Sequence, residues 1–109
     1  MSEQIIKEYN NQGIYYYKNK EYQLAASNFR IAQNNADKES NYYFSIMSRY
    51  NLAMTYECIG DEFKNNNANF EAKKYYRLSQ NYVKMCKKYL KGELLNKIIK
   101  LETRLEDKL

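Results

Sequence analysis

The chain has 109 residues, a formal net charge of +5, 13 Tyr, two Cys and neither Pro, His nor Trp. That length suits one domain with a single core, and a chain without His has lost the usual general base and the commonest metal ligand. Cys58 and Cys86 fit no metal spacing and fall on apolar faces, so buried thiols are expected and no catalysis, cofactor or metal is. No segment approaches the roughly 18 apolar residues a membrane-spanning helix needs, and the N-terminus lacks a basic region followed by an apolar run. These features predict a cytoplasmic protein, with the nucleus left open. The charge is uneven: residues 1–61 hold six Lys/Arg against seven Asp/Glu, and residues 62–109 hold twelve against six.

The absence of Pro and the three glycines, Gly13, Gly60 and Gly92, favour long helices. Ile6, Tyr9, Gly13, Tyr16 and Tyr17 recur at steps that share one helical face, predicting a helix over about Glu3 to Asn19. After Lys18-Asn19-Lys20, the residues Tyr22, Ala25, Ala26, Phe29, Ala32 and Ala36 predict a second helix over about Glu21 to Ala36. A third starts from Ser40 or Asn41 as N-cap, carries Ile46, Tyr50, Ala53, Tyr56 and Ile59, and is expected to stop at Gly60-Asp61. The Asn-rich stretch 62–69 reads as a loop. From Phe70 the stripe resumes with Ala72, Tyr76, Ser79, Val83, Cys86 and Leu90, then Leu94, Ile98, Leu101 and Leu105. Gly92 interrupts that stripe, which leaves one long helix or two.

Self-comparison adds a repeat. Gly13-Ile-Tyr-Tyr16 aligns with Ala53-Met-Thr-Tyr56 at a separation of 40, and Ala25-x3-Phe29 with Ala72-x3-Tyr76 at 47; the difference equals a seven-residue insertion in the Asn-rich loop. This pattern resembles the tetratricopeptide repeat, in the longer form found in kinesin light chains, cell-polarity adaptors and bacterial Rap-type regulators. Gln12 and Asp37 depart from it, standing where Leu and Pro are usual. Tyr22-x2-Ala-Ala-x2-Phe29 is also similar to microtubule-interacting-and-transport domains, which do not predict the recurrence. The repeat resemblance implies an all-α fold of two antiparallel helical hairpins, residues 1–38 and 39–90 with the insertion at 62–69, followed by a C-terminal capping helix over 91–109.

Its implied function is non-catalytic: an adaptor or complex subunit that binds a protein or peptide along a concave groove. Carrying the groove positions over gives Asn10, Ile14 and Tyr17 from the first unit and Tyr50, Asn51, Met54 and Glu57 from the second. The other reading of the apolar members is plain core beneath the C-terminal helix. A chaperone-binding carboxylate clamp is not expected, because Asn10 and Ile14 stand where it needs Lys and Asn.

Two further surfaces stand beside the groove. On the helix after the Asn-rich stretch, Lys73, Lys74, Arg77, Lys84, Lys87, Lys88 and Lys91 fall within an arc of about 140° at 100° per residue. Such a face is either a solvated surface or a site for an acidic partner, nucleic acid being the alternative function. The tyrosines of this helix are expected to be buried and unavailable for stacking on bases. The stripe Leu94, Ile98, Leu101 and Leu105 either caps the second hairpin or joins two copies through residues 94–109.

Overall fold

A computed structural model describes residues 2–109 and contains five α-helices: α1 (Ser2–Lys18), α2 (Tyr22–Lys38), α3 (Tyr42–Asn65), α4 (Asn69–Lys87) and α5 (Gly92–Lys108). No strand occurs among the described residues, and no helix of theirs is long and apolar enough to cross a membrane. The stripes read from the sequence become the buried faces. In α4 these are Ala72, Tyr76, Ser79, Val83 and Cys86, and in α5 Ile98, Leu101 and Leu105. Their alternating four- and three-residue steps keep one side of each helix turned inward.

Each helix packs chiefly on its neighbours in the chain. Along α3, Gly60 meets the Tyr76 ring, the Ala53 carbonyl accepts from the Ser79 hydroxyl at 2.6 Å, and the Ile46 carbonyl accepts from the Cys86 thiol at 3.5 Å. Falling numbers on α3 against rising numbers on α4 make the pair antiparallel. On α1 and α2, Gly13 lies against Phe29 and Tyr17 against Tyr22, the same sense. It follows that α1, α3 and α5 run parallel. Ser48 ties α3 to Asn10 of α1, and Arg104 ties α5 to Glu57 of α3. At the centre, the Tyr56 ring stacks on those of Tyr75 and Tyr82, with centroids 6.0 and 5.6 Å away, and these rings join α3 to α4 beside Phe29 of α2.

The first three turns share one conformation. Lys20, Ser40 and Asn67 take left-handed φ values of 62°, 54° and 64°. The next residue then donates its N–H to the carbonyl five positions back: Glu21 to Tyr16, Asn41 to Ala36 and Ala68 to Phe63, each at 2.9 Å. This closure satisfies carbonyls that a helix end otherwise leaves free. Asn41 also caps α3, accepting the Phe44 N–H at 3.2 Å.

Two expectations are corrected. The first is that α3 stops at Gly60-Asp61 before a loop over 62–69; the helix continues to Asn65 and only three residues form the turn. Gly60 is there for close approach, since a Cβ on it would lie 2.5 Å from Cε1 of Tyr76. The added turn of helix is held by Phe63, whose ring stacks on Tyr75 at 5.4 Å. The second correction concerns the repeat. A Cβ on Gly13 would run into the Phe29 ring, so Gly13 and Phe29 correspond to Gly60 and Tyr76, and the left-handed Lys20 to Asn67. All stand 47 apart. The seven extra residues therefore lie in α3 itself, which has 24 residues against 17 in α1, at its N-terminal end. Matching Gly13 to Ala53 is one heptad off, because seven residues return a helical face to within about 20° of its starting direction.

At Gly92 the open question resolves as a break. The N-cap Lys91 is extended and Gly92 takes φ 65°, with nothing within 4 Å of where its Cβ would be. Its requirement is conformational, a left-handed backbone costing an L-residue roughly 1–2 kcal/mol.

Candidate functional site

The parallel course of α1 and α3 leaves a channel between them, closed at each end by a side-chain bond. At one end the Ser48 hydroxyl donates to Asn10 Oδ1 at 3.2 Å. At the other, the Tyr17 hydroxyl and Cys58 Sγ lie 3.4 Å apart. Between them Ile14, Tyr17, Tyr50, Asn51 and Met54 surround a cavity of about 200 Å³ whose floor is Phe29. Ile14 and Asn51 also border a second cavity of about 300 Å³, with Asn10, Lys7, Phe44 and Met47 on its walls. The two make one continuous groove along the helix pair. Ile14 keeps 39 % of its surface in solvent, so the groove is open.

Helix α5 borders this groove on one side, where Tyr50 and Met54 pack against its buried cluster and Arg104 reaches Met54. It packs beside α3 and α4, its Ile98, Leu101 and Leu105 joining Ala53, Ala72, Tyr76, Val83 and Cys86 in one buried cluster. Of the apolar stripe, Ile98, Leu101 and Leu105 are buried against the second hairpin within the chain, and Leu94 is half-buried.

Six of the seven residues that the resemblance implied for a groove line these two cavities, and Glu57 does not join them. Its side chain is buried, and it accepts from Arg104 Nε at 3.0 Å, Arg104 Nη2 at 2.9 Å and Lys108 Nζ at 2.9 Å. Lys108 reaches Asp61 as well, at 3.0 Å. Burial works to raise the Glu57 carboxyl, but the hydrogen bonds and charges of Arg104 and Lys108 outweigh it and hold it below its ordinary 4.5. Glu57 is therefore the anchor of α5, not a free acceptor for a ligand. Asn10 is likewise buried and occupied by Ser48.

Burial, and then the contact with Cys58, push the Tyr17 phenol upward; burial pushes up Tyr50 against the opposing effect of Arg104, and it raises the Cys58 thiol. All three stay protonated at neutral pH. The wall of the smaller cavity is therefore apolar with neutral donors. Arg104, whose Nη2 lies 3.8 Å from Met54 Sδ, forms its far border. The sequence reading missed Arg104 and Lys108 because their partners lie 47 and 51 residues away; two basic residues four apart beside Leu101 and Leu105 were the available signal. It also missed Phe29 as the floor.

On α4 and the turn after it, Lys73, Lys74, Arg77, Lys84, Lys87, Lys88 and Lys91 are all exposed. Lys87 is paired with Glu102 of α5 at 2.9 Å. The expectation that the tyrosines here are buried holds for Tyr76; Tyr75 and Tyr82 are half-buried, and Tyr89 is 60 % exposed. Tyr89 escapes burial because it follows the end of α4, where the stripe no longer faces the core. Cys58 and Cys86 are free thiols, with Cys86 buried and pushed by that burial up to about 12. No known protein family, curated protein or solved structure matches this chain.

Proposed function

We propose that the protein is a non-catalytic interaction module, two tetratricopeptide-like hairpins with a capping helix, that binds a peptide or helix of another protein in the groove between α1 and α3. The observation that carries this reading is the apolar cavity on Ile14, Tyr17, Tyr50 and Met54, which stays open at Ile14 while α5 borders it at Tyr50 and Met54. The repeated glycine and aromatic ring, Gly13 with Phe29 and Gly60 with Tyr76, supports the repeat assignment. A neutral, apolar cavity with phenol and amide groups fits a segment that presents apolar side chains and offers backbone carbonyls as acceptors. Partners recovered from the native cell with the wild-type chain should be lost with Met54→Arg and with Tyr17→Ala while the circular dichroism spectrum stays helical. Retention of every partner by both folded variants would remove the groove from the account.

A second reading rests on the seven exposed basic residues, of which Lys87 has an acidic partner across the helices. Under it the α4 face holds an acidic partner or a nucleic-acid backbone, the latter through phosphate contacts. Affinity for a nucleic-acid duplex should then fall steeply with salt; absence of binding at low salt would end that reading.

A further inference from the structure

The seven extra residues of α3 lie at its N-terminal end, beside the end of α2, where Asp37 bonds Ser45 and Arg49. Phe44 of that stretch packs on Ile6, Ala32 and Ala36 of the first hairpin, whereas Tyr42 and Ile46 line a cleft with the end of α4. That cleft, between the start of α3 and the end of α4, measures about 430 Å³. Its apolar wall is Tyr42, Ile46, Met85 and Tyr89. Tyr42, Met85 and Tyr89 are 75, 51 and 60 % exposed, so folding leaves them largely in water. Apolar groups gathered at a cleft in this way mark a contact surface rather than scattered exposure.

The charge around the cleft is one-sided. Lys84 and Lys88 stand at its border, and Asp37 is the one acidic residue on it. Both Asp37 oxygens are taken by Arg49, at 2.9 and 3.0 Å, and Ser45 donates to it as well. Asp37 and Arg49 cancel, and the two lysines make no ion pair among the described residues. Lys88 lies 5.7 Å from the Tyr89 ring centroid, which sets a cation beside the aromatic wall.

We propose that this cleft docks an acidic segment of a partner protein in which a large apolar or aromatic side chain is flanked by carboxylates. The apolar side chain covers Ile46, Met85 and Tyr89, while the carboxylates meet Lys84 and Lys88. The site is separate from the α1/α3 groove and does not require that groove to function.

The test uses the full chain and fluorescence anisotropy with four labelled probes: a short peptide with Leu-Phe between Asp and Glu residues, the same peptide with Ser for Leu-Phe, its counterpart with Lys for every acidic residue, and a single-stranded oligonucleotide. The first should bind saturably. The other three should bind at least about tenfold more weakly, since contact area and charge sign are both needed. Lys84→Glu with Lys88→Glu should weaken the first by roughly tenfold, as should Met85→Asp, whereas Tyr17→Ala should leave it unchanged. All three cleft positions are exposed, so the variants keep their fold. In parallel, amide shifts on titration should move at Ile46, Met85 and Tyr89 and stay still at Ile14 and Met54. No saturable binding, equal binding of the Ser peptide or the oligonucleotide, indifference to the cleft variants, or shifts confined to the α1/α3 groove would each overturn the proposal.

Discussion

The two hairpins are built on the same lock and finished differently. In each, a glycine of the first helix admits an aromatic ring sixteen residues on, Phe29 against Gly13 and Tyr76 against Gly60, and a left-handed residue turns the chain in between. In the first hairpin Phe29 makes no hydrogen bond from its ring. In the second, the Tyr76 hydroxyl donates to Asp61 at 2.7 Å, and Asp61 also receives Lys108 of α5. The second ring thus fills space and also links the hairpin to its cap. A repeat can keep its packing while its polar edge is adapted to what comes next in the stack.

That difference can be broken at the lock itself, where the largest effects are expected. Gly13→Val or Gly60→Val forces a branched side chain into a ring that is itself almost fully buried, and should cost about 3 kcal/mol in urea unfolding. Gly60→Val should in addition loosen α5, seen as faster amide exchange at Leu101 and Leu105. Gly13→Val should leave α5 protection unchanged until the whole chain unfolds.

Next in size is the anchor of the cap, which the first hairpin lacks. Glu57→Ala leaves Arg104 and Lys108 without their shared acceptor. Both cations keep access to water, so the cost should be about 2 kcal/mol rather than the 3–5 of a fully enclosed pair. The pH dependence has a definite sign. The folded Glu57 carboxyl titrates below its ordinary 4.5, so its stabilisation is complete above that pH and is lost as pH falls through the lower folded value. An acid titration followed by circular dichroism should show a shallower loss in Glu57→Gln than in wild type. Asp37, where burial is outweighed by the bonds from Arg49 and Ser45, adds a second contribution of the same sign.

Smaller effects come from single atoms. Ser79, at the position that Ala32 occupies in the first hairpin, donates to the Ala53 carbonyl in the buried interface. Ser79→Ala should cost about 1 kcal/mol. The smallest change has the opposite sign: Lys20→Gly or Ser40→Gly relieves a left-handed backbone and should stabilise by roughly 0.5 kcal/mol after the added chain entropy is counted. A thermal melt would record a rise of a few degrees.

The same contrast explains what the sequence disclosed. The all-α architecture and the inward faces of α4 and α5 follow from apolar steps that only a helix can bring to one side. Five of the seven groove residues, Ile14, Tyr17, Tyr50, Asn51 and Met54, which the resemblance and not the apolar steps supplied, line one cavity. The length of the second unit was placed wrongly because a stop at Gly60 and a packing requirement at Gly60 look alike until Tyr76 is seen against it. The role of Glu57 was hidden because its partners belong to α5, and nothing local to residue 57 announces them. The cleft at Met85 and Tyr89 was hidden in the same way, since it brings the start of α3 against the end of α4, about 40 residues on.

The most direct test of the shared lock is a nuclear Overhauser measurement between glycine α-protons and aromatic ring protons. The account predicts cross-peaks from Gly13 to Phe29 and from Gly60 to Tyr76, with all four glycine α-protons shifted upfield by the rings. Ordinary α-proton shifts at Gly60, with the Tyr76 ring instead seated on Ala53, would contradict it and restore the 40-residue register.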